Sequence, residues 1–196
     1  MGAESRDDPP IPDETPFCPI DDSVCASLAQ HINHSSPSIQ FQSPYYPVQQ
    51  GSIILESRVQ DRKGVKSNGV VFATRKKHVG NSHILFRAFA TRAIRAGCIE
   101  HIFLHSREGR PDQISEFFLV VKVYRELSEG DTAHDPYRRY PLLDTRLCYD
   151  EFERLSVVIK LKDVISHAAS CPYKMETIAS PLRVILSLDW SGNLHD

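Results

Sequence analysis

The side chains here that can do chemistry fall into four sets. His101 and His105 stand four positions apart, as do His167 and Cys171, and four such donors are the number that closes a tetrahedral zinc site. On a strand, positions 101, 103 and 105 share a face, so Phe103 would stand between the two imidazoles and crowd an ion. Cys18, Cys25, His31 and His34 have the residue types of a zinc knuckle without the compact spacing of its first pair. Core or surface placement is expected for both groups, and no metal or cofactor is expected. The second set is a cysteine nucleophile beside a histidine, with Cys98 and Cys171 as candidates. Cys98 lies within the apolar alternation of a strand, which points to burial. The chain has no Gly-x-Ser-x-Gly elbow, no phosphate-binding glycine loop, no His-Glu-x-x-His and no Gly-x-Gly-x-x-Gly. A cysteine/histidine enzyme is therefore the least favoured reading, and no catalytic residue is expected.

The third set is electrostatic. Arg62, Lys63, Lys66, Arg75, Lys76, Lys77, Arg87, Arg92 and Arg95 are nine fixed positive charges in a window without a single Asp or Glu, and the next acid is Glu100. The whole chain carries −2, so everything outside the window carries −11. Such polarity suits a surface that meets a polyanion. Two positive hairpin loops, Arg62 to Lys66 and Arg75 to His78, are expected to project from one end of the domain and touch successive phosphates. Arg62, Lys63, Lys66, Arg75, Lys76 and Lys77 are the expected nucleic-acid contacts. The bland alternative is a solvated strand-and-loop face neutralised by the acids of residues 126–153. Phe72, Phe86 and Phe89 are expected to point into the core, which leaves little aromatic interleaving for a single-strand binder.

The fourth set is aromatic. Tyr124, Tyr137 and Tyr140, the last two within Asp135-Pro136-Tyr137-Arg138-Arg139-Tyr140-Pro141, and Trp190 are candidates for a peptide pocket or for a cage around a methylated ammonium. The alternative is a turn begun by Asp135 and Pro136 and stapled down by the tyrosines.

These groups need elements to hold them. Residues 1–20 combine five prolines with Glu4, Asp7, Asp8, Asp13 and Glu14 and offer little to bury, so an acidic, proline-rich disordered arm is expected. Residues 21–50 read as a helix over about 22–33, with Val24, Cys25, Leu28 and Ile32 at helical spacing, followed by an extended connector. Residues 51–190 read as the β domain, and 191–196 as a tail. Strands are expected at Ser52 to Val59, Gly69 to Thr74, His83 to Phe89, Ile94 to Leu104, Ile114 to Glu126, Thr145 to Tyr149, Ser156 to Lys160 and Leu182 to Leu188. Turns are expected at Lys63-Gly64, Asn68-Gly69, Gly80-Asn81, Gly109 with Pro111, and Gly130-Asp131. A second short helix is expected near 163–170, capped by Asp163 and stopped by Pro172.

With 196 residues, 41% hydrophobic and 24% charged, the chain suits one domain with a core. No run approaches the roughly 18 apolar residues of a membrane span, so no membrane association is expected. Five cysteines without a Cys-x-x-Cys pair fit reduced thiols and an intracellular location. Arg75-Lys76-Lys77 has the form of a minimal import signal and favours the nucleus over the cytoplasm.

Ala96-Gly97-Cys98-Ile99-Glu100-His101-Ile102-Phe103, Glu116-Phe117-Phe118-Leu119-Val120-Val121, the Asp135 to Pro141 segment, Val157-Val158-Ile159 through Asp163-Val164-Ile165-Ser166-His167, and Val184-Ile185-Leu186-Ser187-Leu188-Asp189 follow in an order that resembles an uncharacterised β-rich domain of basidiomycete hypothetical and transposon-encoded proteins. The likeness spans roughly residues 50 to 190, and its motifs are structural. In architecture the same order is also similar to bromo-adjacent homology barrels, which bind nucleosomes and chromatin partners. The fold these likenesses imply is mainly β: a single small barrel or sandwich of the bromo-adjacent homology or SH3 type, with two short helices and a disordered N-terminal arm. The function they imply is a non-catalytic interaction module that binds DNA or chromatin through the basic face. The alternative is a protein- or peptide-interaction module with no nucleic-acid role.

Overall fold

The computed structural model describes residues 16–35, 39–89, 91–107 and 114–188. Along the chain run β1 (Phe17–Pro19), α1 (Asp22–Ser35), β2 (Phe41–Gln42), β3 (Ile53–Ile54), β4 (Arg58–Arg62), β5 (Gly64–Ser67), β6 (Val70–Ala73), β7 (His83–Arg87), β8 (Ile94–Arg107) and β9 (Ile114–Glu126). There follow α2 (Glu129–Thr132), β10 (Thr145–Phe152), β11 (Val157–Lys160), β12 (Val164–Met175) and β13 (Ile178–Ser187). Nine strands form one sheet in the order β1-β4-β8-β7-β12-β13-β10-β9-β11, with β8 and β9 also paired to each other; β2–β3 and β5–β6 are separate two-stranded ribbons.

Two long strands organise this sheet. β8 has 14 residues and β9 has 13, so each is about 45 Å long at about 3.3 Å per residue. Each is long enough to serve two neighbours along one edge. β8 offers Ile94–Cys98 to β7 and Ile102–Leu104 to β4, while β9 offers Phe118–Val121 to β11 and Tyr124–Glu126 to β10. The β8–β9 pair therefore has two halves. In one half the pairings run in a circuit through β8, β7, β12, β13, β10 and β9. Leu85, Ala96, Tyr124, Cys148, Ala168 and Ile185, one from each of those strands, make a common buried cluster there. In the other half β1, β4, β8, β9 and β11 form an open sheet under α1, whose Val24, Cys25, Leu28, Ala29 and Ile32 pack on Val59, Phe103, Phe118, Val120 and Val158.

The expectation of a single small barrel is thus corrected. The molecule is mainly β, but its strands make one large sheet with β1 and β11 at its ends. At Gly97 the two long strands come so close that an added Cβ would lie 2.4 Å from Val121 Cγ1 and 2.9 Å from the Lys122 carbonyl.

α1 begins where capping chemistry places it. The Asp21 carboxylate accepts the Val24 N–H at 2.9 Å, and the apolar residues that follow bury one stripe. Two polar side chains then stitch the helix to the sheet. Ser27 Oγ accepts the Val158 N–H at 3.1 Å on the edge strand β11. Asn33 does the work of a strand neighbour for Phe41, donating to its carbonyl at 2.8 Å and accepting its N–H at 2.7 Å.

The expected second helix over 163–170 is a strand. Asp163 does accept a backbone N–H, from Lys160 at 3.0 Å, but that bond closes a short 3-10 turn at Leu161–Asp163, after which Val164 and Ile165 enter β12. β12 pairs with β7 through Val164, Ser166 and His167 and with β13 from Ala168 onward. Pro172 is tolerated because it lies beyond the β7 pairing, where its missing N–H is not needed. The second α-helix is instead the single turn α2, with Ser128 as its cap. The expected disordered arm over 1–20 is corrected at its end, since Phe17–Pro19 pair with β4; residues 1–15 lie outside the described residues, as do Trp190, the 191–196 tail and the Gly109–Pro111 turn.

Candidate functional site

The basic window divides into two populations. Arg95 belongs to the sheet: its Nε lies 2.8 Å from Glu126, and its guanidinium also binds Glu153. Arg87 and Arg92 lie at the β7–β8 turn. Arg75, whose N–H donates to the Ile99 carbonyl at 2.7 Å, is at the other end of the five-residue β7, about 13 Å away by strand rise. The nine cations therefore do not share one side. Arg62, Lys63, Lys66, Arg75, Lys76 and Lys77 do gather, around the β5–β6 hairpin.

This hairpin is built by a turn the sequence announces. Asn68 and Gly69 both have positive φ, 50° and 81°, as a tight two-residue hairpin turn requires. Val65, Val70 and Phe72 face inward and seat the ribbon on Ile84, Phe86 and Ile99. By strand alternation Gly64 and Lys66 face outward. The chain then turns sharply, with the Thr74 N–H donating to the Lys63 carbonyl at 3.2 Å and the Lys77 N–H to the Thr74 carbonyl at 2.9 Å. Lys77 folds back so that its ammonium nitrogen is 3.7 Å from the position a Cβ on Gly64 would take. Lys66 and Lys77 thus share the outward face, with Lys63 and Lys76 at its open end. The expected loop over 62–66 is in fact the end of β4 and the start of β5, while Arg75 to His78 is a turn as expected.

Lys63, Lys66, Lys76 and Lys77 are exposed, and among the described residues none has a carboxylate within ion-pair distance. Arg62 is half-buried and donates to Gln60 at 3.1 Å. Arg75 touches Glu100 only at 4.0 Å and stands 5.5 Å above the Phe152 ring. Lys122, 5.9 Å from that same ring, is a contributor the sequence reading missed. Its signal was a lone cation in the otherwise apolar run Leu119 to Tyr124.

The aromatic set does not assemble as one cage. Tyr137 and Tyr140 line a cleft of about 460 Å³ with Ala96, Cys148, Arg95, Glu126, Asp135 and Arg146. Tyr124 is 3% exposed and belongs to the interior, where its hydroxyl meets His83 Nδ1 at 3.2 Å. Burial pushes the Tyr124 phenol up to about 12 and, with help from Arg183 and Arg75, pushes the His83 imidazole down to about 4.

The histidine and cysteine sets are dispersed. His105 is buried, and its Nε2 donates to the Glu56 carbonyl at 2.8 Å, while His101 is exposed. His167 packs edge-on against Phe72 at 4.5 Å, and Cys171 is exposed. His31 is buried 3.6 Å from Asp163, Cys25 is buried, and Cys18 contacts the Val59 carbonyl. Among the described residues no three His, Cys, Asp or Glu side chains gather as metal ligands. Cys98 lies opposite His83 across β7 and β8, but its sulfur meets Ser82 Oγ at 3.1 Å, and burial raises its pKa, which keeps the thiol protonated. Compared with family models, curated proteins and solved structures, the chain matches none.

Proposed function

We propose that this chain is a non-catalytic interaction module that binds the phosphate backbone of duplex DNA through the β5–β6 hairpin and the Arg75–His78 turn. The observation that carries this reading is the outward face of the hairpin, where Lys77 lies back over Gly64 on the side of Lys66, while among the described residues none of the four lysines has a carboxylate within ion-pair distance. Exposed lysines without a carboxylate beside them are open to an external anion, and each phosphate they neutralise releases a counterion. A narrow two-stranded ribbon also has the width that the major groove admits. The protonated Cys98 and neutral His83 support a module without nucleophilic chemistry. The likeness to bromo-adjacent homology modules agrees with chromatin as the setting and the nucleus as the location.

Fluorescence anisotropy with a short duplex tests it. Lys76→Glu with Lys77→Glu should weaken binding at least about tenfold at low salt, whereas Arg87→Glu with Arg92→Glu, at the far end of β7, should change it much less. Equal losses in the two variants would contradict the assignment.

The 460 Å³ cleft supports a second reading, a peptide-binding module, because Tyr137 and Tyr140 line it together with apolar Ala96 and Leu147 and with charged Arg95 and Glu126. Peptide-array binding that survives Lys76→Glu and fails on Tyr140→Ala would favour it over the first.

A further inference from the structure

We propose that the acidic segment 1–15 docks on this same basic hairpin as an internal competitor for its anionic partner, an inference that rests on the DNA-binding reading. The direction of β1 carries it. Pro19, Cys18 and Phe17 pair antiparallel with Arg58, Val59 and Gln60, so moving back toward residue 16 means moving forward along β4 toward Arg62 and Lys63. That direction is held in place: the Ile20 N–H donates to the Ser57 carbonyl at 2.9 Å, and the Tyr45 hydroxyl donates to the Ile20 carbonyl at 3.0 Å.

Counted from the paired Phe17 and Gln60, Glu14 is three residues back and Lys63 three residues on. Residues 1–15 carry Glu4, Asp7, Asp8, Asp13 and Glu14 against the single cation Arg6. Beyond the end of β4, in the direction in which β1 leads back, stand Lys63, Lys66, Lys76 and Lys77, which have no carboxylate within ion-pair distance among the described residues. Charge complementarity and the point of attachment thus name the same occupant. A segment tethered beside its site acts at an effective concentration in the millimolar range, which lets a contact of modest strength compete with an external polyanion. Because the contact is exposed and ionic, salt weakens it.

The test is duplex binding by the full chain, read by fluorescence anisotropy, with Glu4→Gln, Asp7→Asn, Asp8→Asn, Asp13→Asn and Glu14→Gln combined. The neutralised chain should bind at least about threefold more tightly at low salt, with the gain shrinking as salt rises. Deleting residues 1–15, which leaves β1 intact, should act in the same direction and guards against an effect peculiar to the five substitutions. Unchanged affinity in both forms, while Lys76→Glu with Lys77→Glu still weakens the full chain, would overturn the docking and leave the DNA-binding reading standing. Absence of binding by every form would overturn both.

Discussion

Lys63, Lys66, Lys76 and Lys77 around the β5–β6 hairpin and Arg95, Arg107, Lys160 and Arg183 in the main sheet are the same kinds of charge in opposite circumstances. In the sheet each of these four cations is tied to an acid from another strand. Arg183 holds both oxygens of Asp150, at 2.6 and 3.1 Å, and Ser170 at 2.8 Å. Arg107 and Lys160 close on Glu116 from two sides, the latter at 2.8 Å. Around the hairpin the lysines face solvent with no such partner among the described residues. Buried charge serves the fold, because an ion removed from water must be matched. Exposed, unmatched charge contributes little to stability and stays available to an outside anion. A count of basic residues along the chain cannot make this distinction; their partners can.

The sharpest way to break the comparison is to unmatch the sheet. Burial raises the Glu116 pKa, but hydrogen bonds from Lys160 and Arg107, with their charges, outweigh it and hold the carboxyl below the ordinary range. Glu116→Ala leaves two cations whose side chains are only 8% and 11% exposed, and should cost about 3–5 kcal/mol in a urea titration. A loss below about 1 kcal/mol would mean that the triad is not structural.

Next comes pH. His83 is buried with a pKa near 4 in the fold, against about 6.5 in the unfolded chain. The unfolded state therefore binds the extra proton first as pH falls. Stability is complete above pH 6.5 and declines through the interval down to about 4, by about 3 kcal/mol from this residue. Burial lowers the pKa of His31 and His105 as well, so both add to the same trend. Unfolding midpoints measured across that interval should fall with pH, and His83→Gln should flatten the fall. A flat profile in the unmodified chain would contradict the burial described.

The smallest effect is expected where the hairpin is concerned. Exchanging Lys63, Lys66, Lys76 and Lys77 for Gln should leave the unfolding free energy within about 0.5 kcal/mol per site, since these lysines are exposed and hold no ion pair among the described residues. A larger drop would assign those lysines to the fold.

Where local pattern decides structure, the sequence was legible. Ile114 to Glu126 carries a continuous run of apolar and β-branched residues and is bounded as expected, and Asn68-Gly69 makes the expected turn. The start of α1 follows from Asp21 and the helical spacing after it. What stayed hidden depends on distant partners. Asp163 followed by Val164, Ile165 and Ala168 satisfies a helix start as well as a strand, and only the pairing with β7 and β13 settles the matter. β1 is three residues that follow Pro16 and end on Pro19, and it has no signal apart from β4, some forty residues on. Nothing local reveals that β8 and β9 each take two neighbours on one edge, which turns an expected small barrel into a large sheet. At the site, the residues of the basic cluster were visible as charge, while the division between Arg95, matched by Glu126 and Glu153, and the unmatched lysines was not.

Salt dependence of duplex affinity tests the central claim most directly. With Lys63, Lys66, Arg75, Lys76 and Lys77 in contact with phosphates, log K should fall against log salt with a slope of about −3 to −5, and the quadruple Lys63→Gln, Lys66→Gln, Lys76→Gln, Lys77→Gln variant should bring the slope close to −1. A slope near zero in the unmodified chain, or one that the quadruple variant leaves unchanged, would contradict the account.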